Sequence, residues 1–262
     1  MLALLVFGLV SVLEPVTRPP VCEFASAAGT TLNLSPEQTG HAATIAAAAT
    51  RRGLPGRAAT IGIATAIQES KLRNLPGGDR DSLGLFQQRP SQGWGTPEQI
   101  LDPVYAADRF YAALVQVRGW ESLPLTEAAQ RVQRSAFPTA YAAHEDEAEV
   151  YAQALTGARP AAIACRLAPS ARSVPAAEVS AALRRETGFT ADAAGSALTF
   201  SAASESGAAR AAAWAVARAD DLGITAVTVG ELAWQRAPAD SSLRWAPAEE
   251  PLPARAVRIE LG

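Results

Sequence analysis

The sequence predicts a mainly α fold: a helical domain over residues 36–165, followed by a small α+β module over residues 176–262. Three patterns carry that reading. Residues 35–53 begin with Ser35 before Pro36 and stop at Gly53, the residue types that start and end helices. Residues 54–72 restart at Pro55 and are apolar on nearly every face, which suits a central helix packed all round. Near the end, "ITAVTVG" and "ELAWQRA" read as two strands joined by a Gly-containing turn, with "SLRW" and "RAVRIEL" as two more.

The elements follow in chain order. The opening "MLALLVFGLVSVL" holds about a dozen apolar residues before Glu14, fewer than the roughly 20 that a bilayer-crossing helix needs. It has the length of a signal-peptide hydrophobic region, so residues 1–20 are expected to be a signal or membrane anchor; the alternative is an N-terminal core helix. Pro15, Pro19, Pro20 and Gly29 make the following stretch read as extended, with residues 21–35 a tether. After the two helices comes a polar loop, then Thr96 with Gln99 at the capping-box spacing and apolar positions at Ile100, Val104, Phe110 and Leu114. "LTEAAQRVQRSAF" and "EDEAEVYAQALTG" complete the helical domain. Residues 166–175, "RLAPSARSVP", read as a linker to a helix near 176–187 and an alanine-rich helix ending at Gly223. Trp234 and Trp245 lie on strand-like segments, as core residues or as an exposed glycan-binding pair.

Composition excludes several functions. With 23 basic and 26 acidic side chains the net charge is −3, so no chain-wide basic field exists to hold nucleic acid. His41 and His144 lack the Cys or acidic neighbours of a zinc site, and no Gly-rich phosphate loop or nucleophile elbow is present. No metal or other cofactor is expected. Cys22 and Cys165 sit at the two edges of the most structured region. In an oxidising compartment they would pair and tie its ends together; otherwise they are two unrelated buried thiols.

The chemistry concentrates in "IQESKLRNLPGGDRDSLGLFQQRPSQGW", residues 67–94. Glu69 falls in the last turn of the buried helix, where burial and the negative end of the helix dipole both disfavour an ionised carboxylate. A carboxyl that keeps its proton near neutral pH is what protonates a glycosidic oxygen as the sugar leaves. "DRDSLG" places Asp79 and Asp81 at the first and third positions of a calcium-loop pattern, but Leu83 fills the fifth and Pro90 the twelfth. That leaves a turn-forming role for these carboxylates, or Asp81 as a second carboxylate near the cleft, which would make a hydrolysing muramidase. Trp94 is either core or a sugar-stacking face.

Glu69-Ser70, followed at a suitable distance by Gly84-Leu85-Phe86-Gln87, resembles the lysozyme-like lytic transglycosylases of the soluble lytic transglycosylase and goose-type lysozyme superfamily. The flanking "GDRDSLGLFQQRPSQGWGT" looks like the version found in exported actinobacterial proteins, and the resemblance covers about residues 36–165. It implies a lysozyme-like helical domain that cuts the MurNAc-GlcNAc β-1,4 bond of peptidoglycan strands, with Glu69 as acid and then base. Ser70 would steady the Glu and the sugar, Gln87 and Gln88 would hydrogen-bond in the saccharide cleft, and Phe86 would pack beneath it. The family's third motif, Ala-Tyr-Asn, is replaced by Gln130-Arg131, so either Gln130 takes its contact or Tyr141 reaches in from further along; Gln130 stands first. The implied partner is the glycan strand, with the membrane met only through the N-terminal segment and no protein partner indicated. A competing class is a non-catalytic wall-binding or scaffold protein, motivated by the altered third motif and the C-terminal module.

Overall fold

A computed structural model describes residues 18–135 and 137–262; the expected signal or anchor lies outside the described residues save for Arg18, Pro19 and Pro20. The structure is α+β. Strand β1 (Val21–Ala25) and β2 (Thr31–Leu34) precede helices α1 (Pro36–Arg51), α2 (Gly56–Ser70), α3 (Pro97–Ile100), α4 (Pro103–Leu114), α5 (Leu125–Gln133) and α6 (Glu145–Leu155). A 3-10 helix, Ala140–His144, sits between α5 and α6, and β3 (Ile163–Arg166) closes this half. Then come α7 (Ala176–Thr187), β4 (Asp192–Ala194), β5 (Ala197–Ser201), α8 (Glu205–Ala217), α9 (Ala219–Leu222), β6 (Ile224–Val229), β7 (Leu232–Gln235), β8 (Ala246–Pro247) and β9 (Ala256–Leu261).

The mainly α expectation is therefore corrected: among the described residues 44% are helix and 17% strand, the strands forming two antiparallel sheets. One has the order β2-β1-β3 and the other β4-β5-β9-β6-β7-β8. Residues 21–35 are not a free tether. Cys22 and Phe24 alternate inward from β1, and their strand pairs with β3 in the register Cys22↔Cys165 and Phe24↔Ile163. That register sets the two cysteines opposite each other, and they form a disulfide across 143 residues of sequence. Among the described residues no helix is long and apolar enough to cross a membrane.

Helix α1 starts at the expected Ser35 cap, and the structure adds a full capping box there: Ser35 accepts from the Gln38 backbone amide, and the Gln38 side chain accepts from the Ser35 amide. Helix α2 is buried almost along its whole length, from Ala58 to Ile67. Gly62 permits this: a Cβ there would stand 2.4 Å from Tyr111 Oη and 2.9 Å from the Ile45 side chain. Without one, α4 and α1 close onto α2, and the Tyr111 hydroxyl donates to the Ile45 carbonyl at 3.2 Å. Trp245 and Trp234 are not an exposed pair. Trp234 is fully buried and donates to the Ser242 and Cys165 carbonyls, while Trp245 donates to that of Ile163.

The two predicted units share one apolar core, because α1 packs on α7 and α8 as well as on α2, α4 and α6. A buried polar knot fastens that junction. Glu186 of α7 accepts from Thr44 Oγ1 of α1 and Trp214 Nε1 of α8, each at 2.9 Å, and pairs with Arg218 at 2.9 Å. Removing one partner of such a group strands the others in low dielectric. Glu186→Ala is expected to cost about 3 kcal/mol of stability, read as a lower denaturant midpoint; an unchanged midpoint would remove the knot from the account.

Candidate active site

Glu69 stands in the final turn of α2, partly buried, one residue before the helix ends. Lys71 and Leu72 both adopt left-handed backbone, φ 56° and 58°, and their amides bond back to Ile67 and Ala66. This αL termination buries Leu72 and turns the chain sharply off the helix. Ser70 then fastens the returning loop: its buried hydroxyl lies 2.8 Å from the Leu85 carbonyl and 3.0 Å from that of Ala66. Ser70 thus serves the backbone. It holds "GLFQQ" against the helix end that carries Glu69.

The loop from 73 to 88 is closed by its own bonds. Leu83 and Gln88 exchange backbone hydrogen bonds of 2.9 and 3.0 Å, and Gly84 donates to the Leu75 carbonyl at 2.8 Å. Gln87 takes left-handed backbone, φ 49°, and its side chain folds inward. Its Nε2 donates to the Gly84 carbonyl at 3.1 Å, and its Oε1 accepts from Ser82 Oγ at 3.2 Å. Gly78 leaves room for that amide: a Cβ there would lie 1.7 Å from Gln87 Oε1. Phe86 is fully buried and stacks on Phe110 with centroids 4.6 Å apart. Gln88 is buried too, its Nε2 donating to the Ala106 carbonyl of α4 at 3.1 Å. Gln87, partly exposed, is the amide of the pair nearer solvent.

The Tyr141 hydroxyl donates to Glu69 Oε1 at 2.6 Å. Burial first, and then the hydrogen bond to Glu69, raise the Tyr141 phenol above its ordinary value, so it remains a donor. Gln130, first in the sequence reading, turns elsewhere. Its Nε2 donates to the Ser135 carbonyl at 2.8 Å and its Oε1 accepts from Ser135 Oγ at 3.1 Å. The reason is local: α5 ends at Gln133, and Arg134, left-handed at φ 52°, sends the chain back, so that the 3-10 helix crosses the end of α2. The same segment makes a second attachment, with His144 Nε2 3.1 Å from Gln68 Oε1 and Nδ1 2.6 Å from Glu147 Oε1. Glu69 Oε2 has no hydrogen-bond partner among the described residues.

Asp81 is occupied as a clip. It accepts from Arg89 Nε at 2.7 Å and from the Ser91 amide at 2.9 Å. Hydrogen bonds from Ser91 first, and then from Arg89, hold its carboxyl well below the usual carboxylate range. Trp94 is half-buried against the core and lines a groove of about 770 Å³ between the 92–94 turn, α4 and the end of α5. Glu69 does not line that groove. Gln133 connects the two regions, since it lines the groove and donates from Nε2 to the Phe86 carbonyl at 2.7 Å.

Of the residues singled out in the sequence, Glu69 and Tyr141 meet directly, while Ser70, Phe86, Gln87 and Gln88 build the loop beside them. Gln130 and Asp81 brace neighbouring turns. Gln133 and His144 were missed as site residues. Gln133 lies three positions after Gln130 on the same helix face, which was the available signal. His144 carried only a charged run. A hydrogen bond to a carboxylate contributes roughly 1.5–3 kcal/mol, so Tyr141→Phe is expected to slow any reaction through Glu69 about 10- to 100-fold without unfolding the chain. Gln130→Ala should slow it less, and the reverse order in a kinetic comparison would displace Tyr141 as the partner. Neither a protein-family model nor a curated protein matches the chain.

Proposed function

We propose that this protein is an exported lytic transglycosylase that cleaves the MurNAc-GlcNAc β-1,4 bond of peptidoglycan strands through Glu69. The observation that carries the proposal is the 2.6 Å hydrogen bond from Tyr141 to one oxygen of a carboxyl group at the end of a buried helix. With Oε1 engaged, the transferable proton belongs on Oε2. Protonated Glu69 gives that proton to the glycosidic oxygen as the C1–O bond breaks and oxocarbenium character develops at C1. The resulting carboxylate takes the proton of the muramic-acid 6-hydroxyl as O6 bonds to C1. Glu69 ends protonated, the product is a 1,6-anhydro sugar, and no water enters. Tyr141 stays bonded to Oε1 through both steps and fixes the carboxyl plane.

A hydrolytic route asks for a second carboxylate to stabilise the cation or hold water. Asp81 is committed to Arg89 and Ser91, which favours the route without one. The disulfide fits an oxidising compartment, in keeping with export and action on the outer face of the cell envelope. Dye release from labelled sacculi tests the proposal: soluble fragments are expected from the parent protein, whereas tight adsorption to sacculi with no release would instead assign a wall-binding role.

A further inference from the structure

Beyond Glu69, the groove at Trp94 is set apart by its charge. Arg109, Arg131 and Arg134 line it together with Gln116 and Gln133, and no carboxylate lines it, although the chain as a whole carries a net charge of −3. Arg131 is balanced by Glu127 from the adjoining turn, at 2.5 Å. Arg109 donates a hydrogen bond to the Gly93 carbonyl at 3.2 Å, and among the described residues neither Arg109 nor Arg134 has an ion-pair partner. Scattered surface arginines are ordinary. Here two unpaired guanidinium groups converge on one concavity with an indole and three side-chain amides, those of Gln92, Gln116 and Gln133, the donor set that suits carboxylates displayed on a sugar chain.

We infer that this groove binds the stem-peptide carboxylates of the glycan strand, so that the protein favours peptide-bearing strands over bare glycan. The inference rests on the function proposed above. Gln133, which lines the groove and donates to the carbonyl of Phe86, ties the groove wall to the loop beside Glu69. A strand seated at Glu69 therefore passes near Arg109 and Arg134. Trp94 offers an aromatic face to a pyranose there, and the guanidinium groups are donors for the carboxylates that peptide substitution adds.

Binding is to be measured by calorimetry with two soluble probes, stem-bearing glycan oligomers and the same oligomers stripped of peptide by an amidase. The full chain carrying Glu69→Gln keeps the ligand intact. The stem-bearing probe is expected to bind about tenfold tighter or more, and that margin should shrink as ionic strength rises. R109Q/R134Q should erase the margin while keeping the parent's unfolding midpoint, and R184Q, an exposed arginine on α7, should leave it intact. Equal binding of the two probes overturns the inference, as does a margin that survives R109Q/R134Q. Equal affinity for polyglutamate would also overturn it, making the groove a general anion site. The two proposals fail separately: preference without any cleavage by the parent refutes the enzyme reading and keeps the groove, whereas cleavage without preference does the opposite.

Discussion

Glu69→Gln is expected to lower glycan cleavage by about 10²- to 10⁴-fold while leaving the fold and strand binding in place. The substitution keeps the shape of the side chain, and the amide oxygen still accepts from Tyr141, so the contact that orients the group survives. What disappears is the exchangeable proton. Loss of turnover with retained affinity is the mark of a group that acts mainly in the transition state. Tyr141→Phe, which loosens the acid without removing it, should fall between Glu69→Gln and the parent. A Glu69→Gln protein that cleaved within a fewfold of the parent would sink the assignment.

Breaking the disulfide is expected to give the largest loss of stability. The bond between Cys22 and Cys165 closes a loop with a sequence separation of 143, for which the chain-entropy account gives about 5 kcal/mol. The two residues face each other in a paired register, so the reduced chain can keep the β1–β3 pairing; the effect is mainly greater freedom of the unfolded chain. Urea unfolding of Cys22→Ala/Cys165→Ala should show a much lower midpoint, with the folded protein's circular dichroism unchanged at low temperature. An unfolding free energy within about 1 kcal/mol of the parent would mean that the native contacts alone hold the two ends together.

The helices were readable where local chemistry marks them. Ser35 caps α1, Thr96 with Gln99 forms the capping box that its spacing announced, and the apolar continuity of α2 gave its burial. The first sheet was hidden. Only Cys22 and Phe24 alternate inward in β1, Pro19, Pro20 and Gly29 around them signal extended coil, and the pairing strand β3 lies some 140 residues away. Local pattern has no access to such a partner. In the second half, β4 and β5 were missed because their alanines resemble the helical residues around them; pairing of β4 with β5 and of β5 with β9 overrides that preference.

At the site the pattern was similar. Glu69 and "GLFQQ" follow from motif spacing, and the chain does bring the loop back onto the helix end. The choice between Gln130 and Tyr141 depended on the turn after α5. That turn uses left-handed backbone at Arg134, with no glycine to announce it, so the arrival of Tyr141 over Glu69 was not visible in the residues. The resemblance implies that Gln88 hydrogen-bonds in the saccharide cleft, whereas the structure buries it. The left-handed backbone of Gln87 turns its own side chain onto the loop and directs that of Gln88 to α4.

The most direct test of the central claim is mass spectrometry of fragments released from purified sacculi by the parent and by Glu69→Gln in parallel. The account predicts 1,6-anhydro ends, lighter by one water than hydrolysed ends, from the parent and none above background from the variant. Reducing ends from the parent, or anhydro fragments from both proteins, would contradict it.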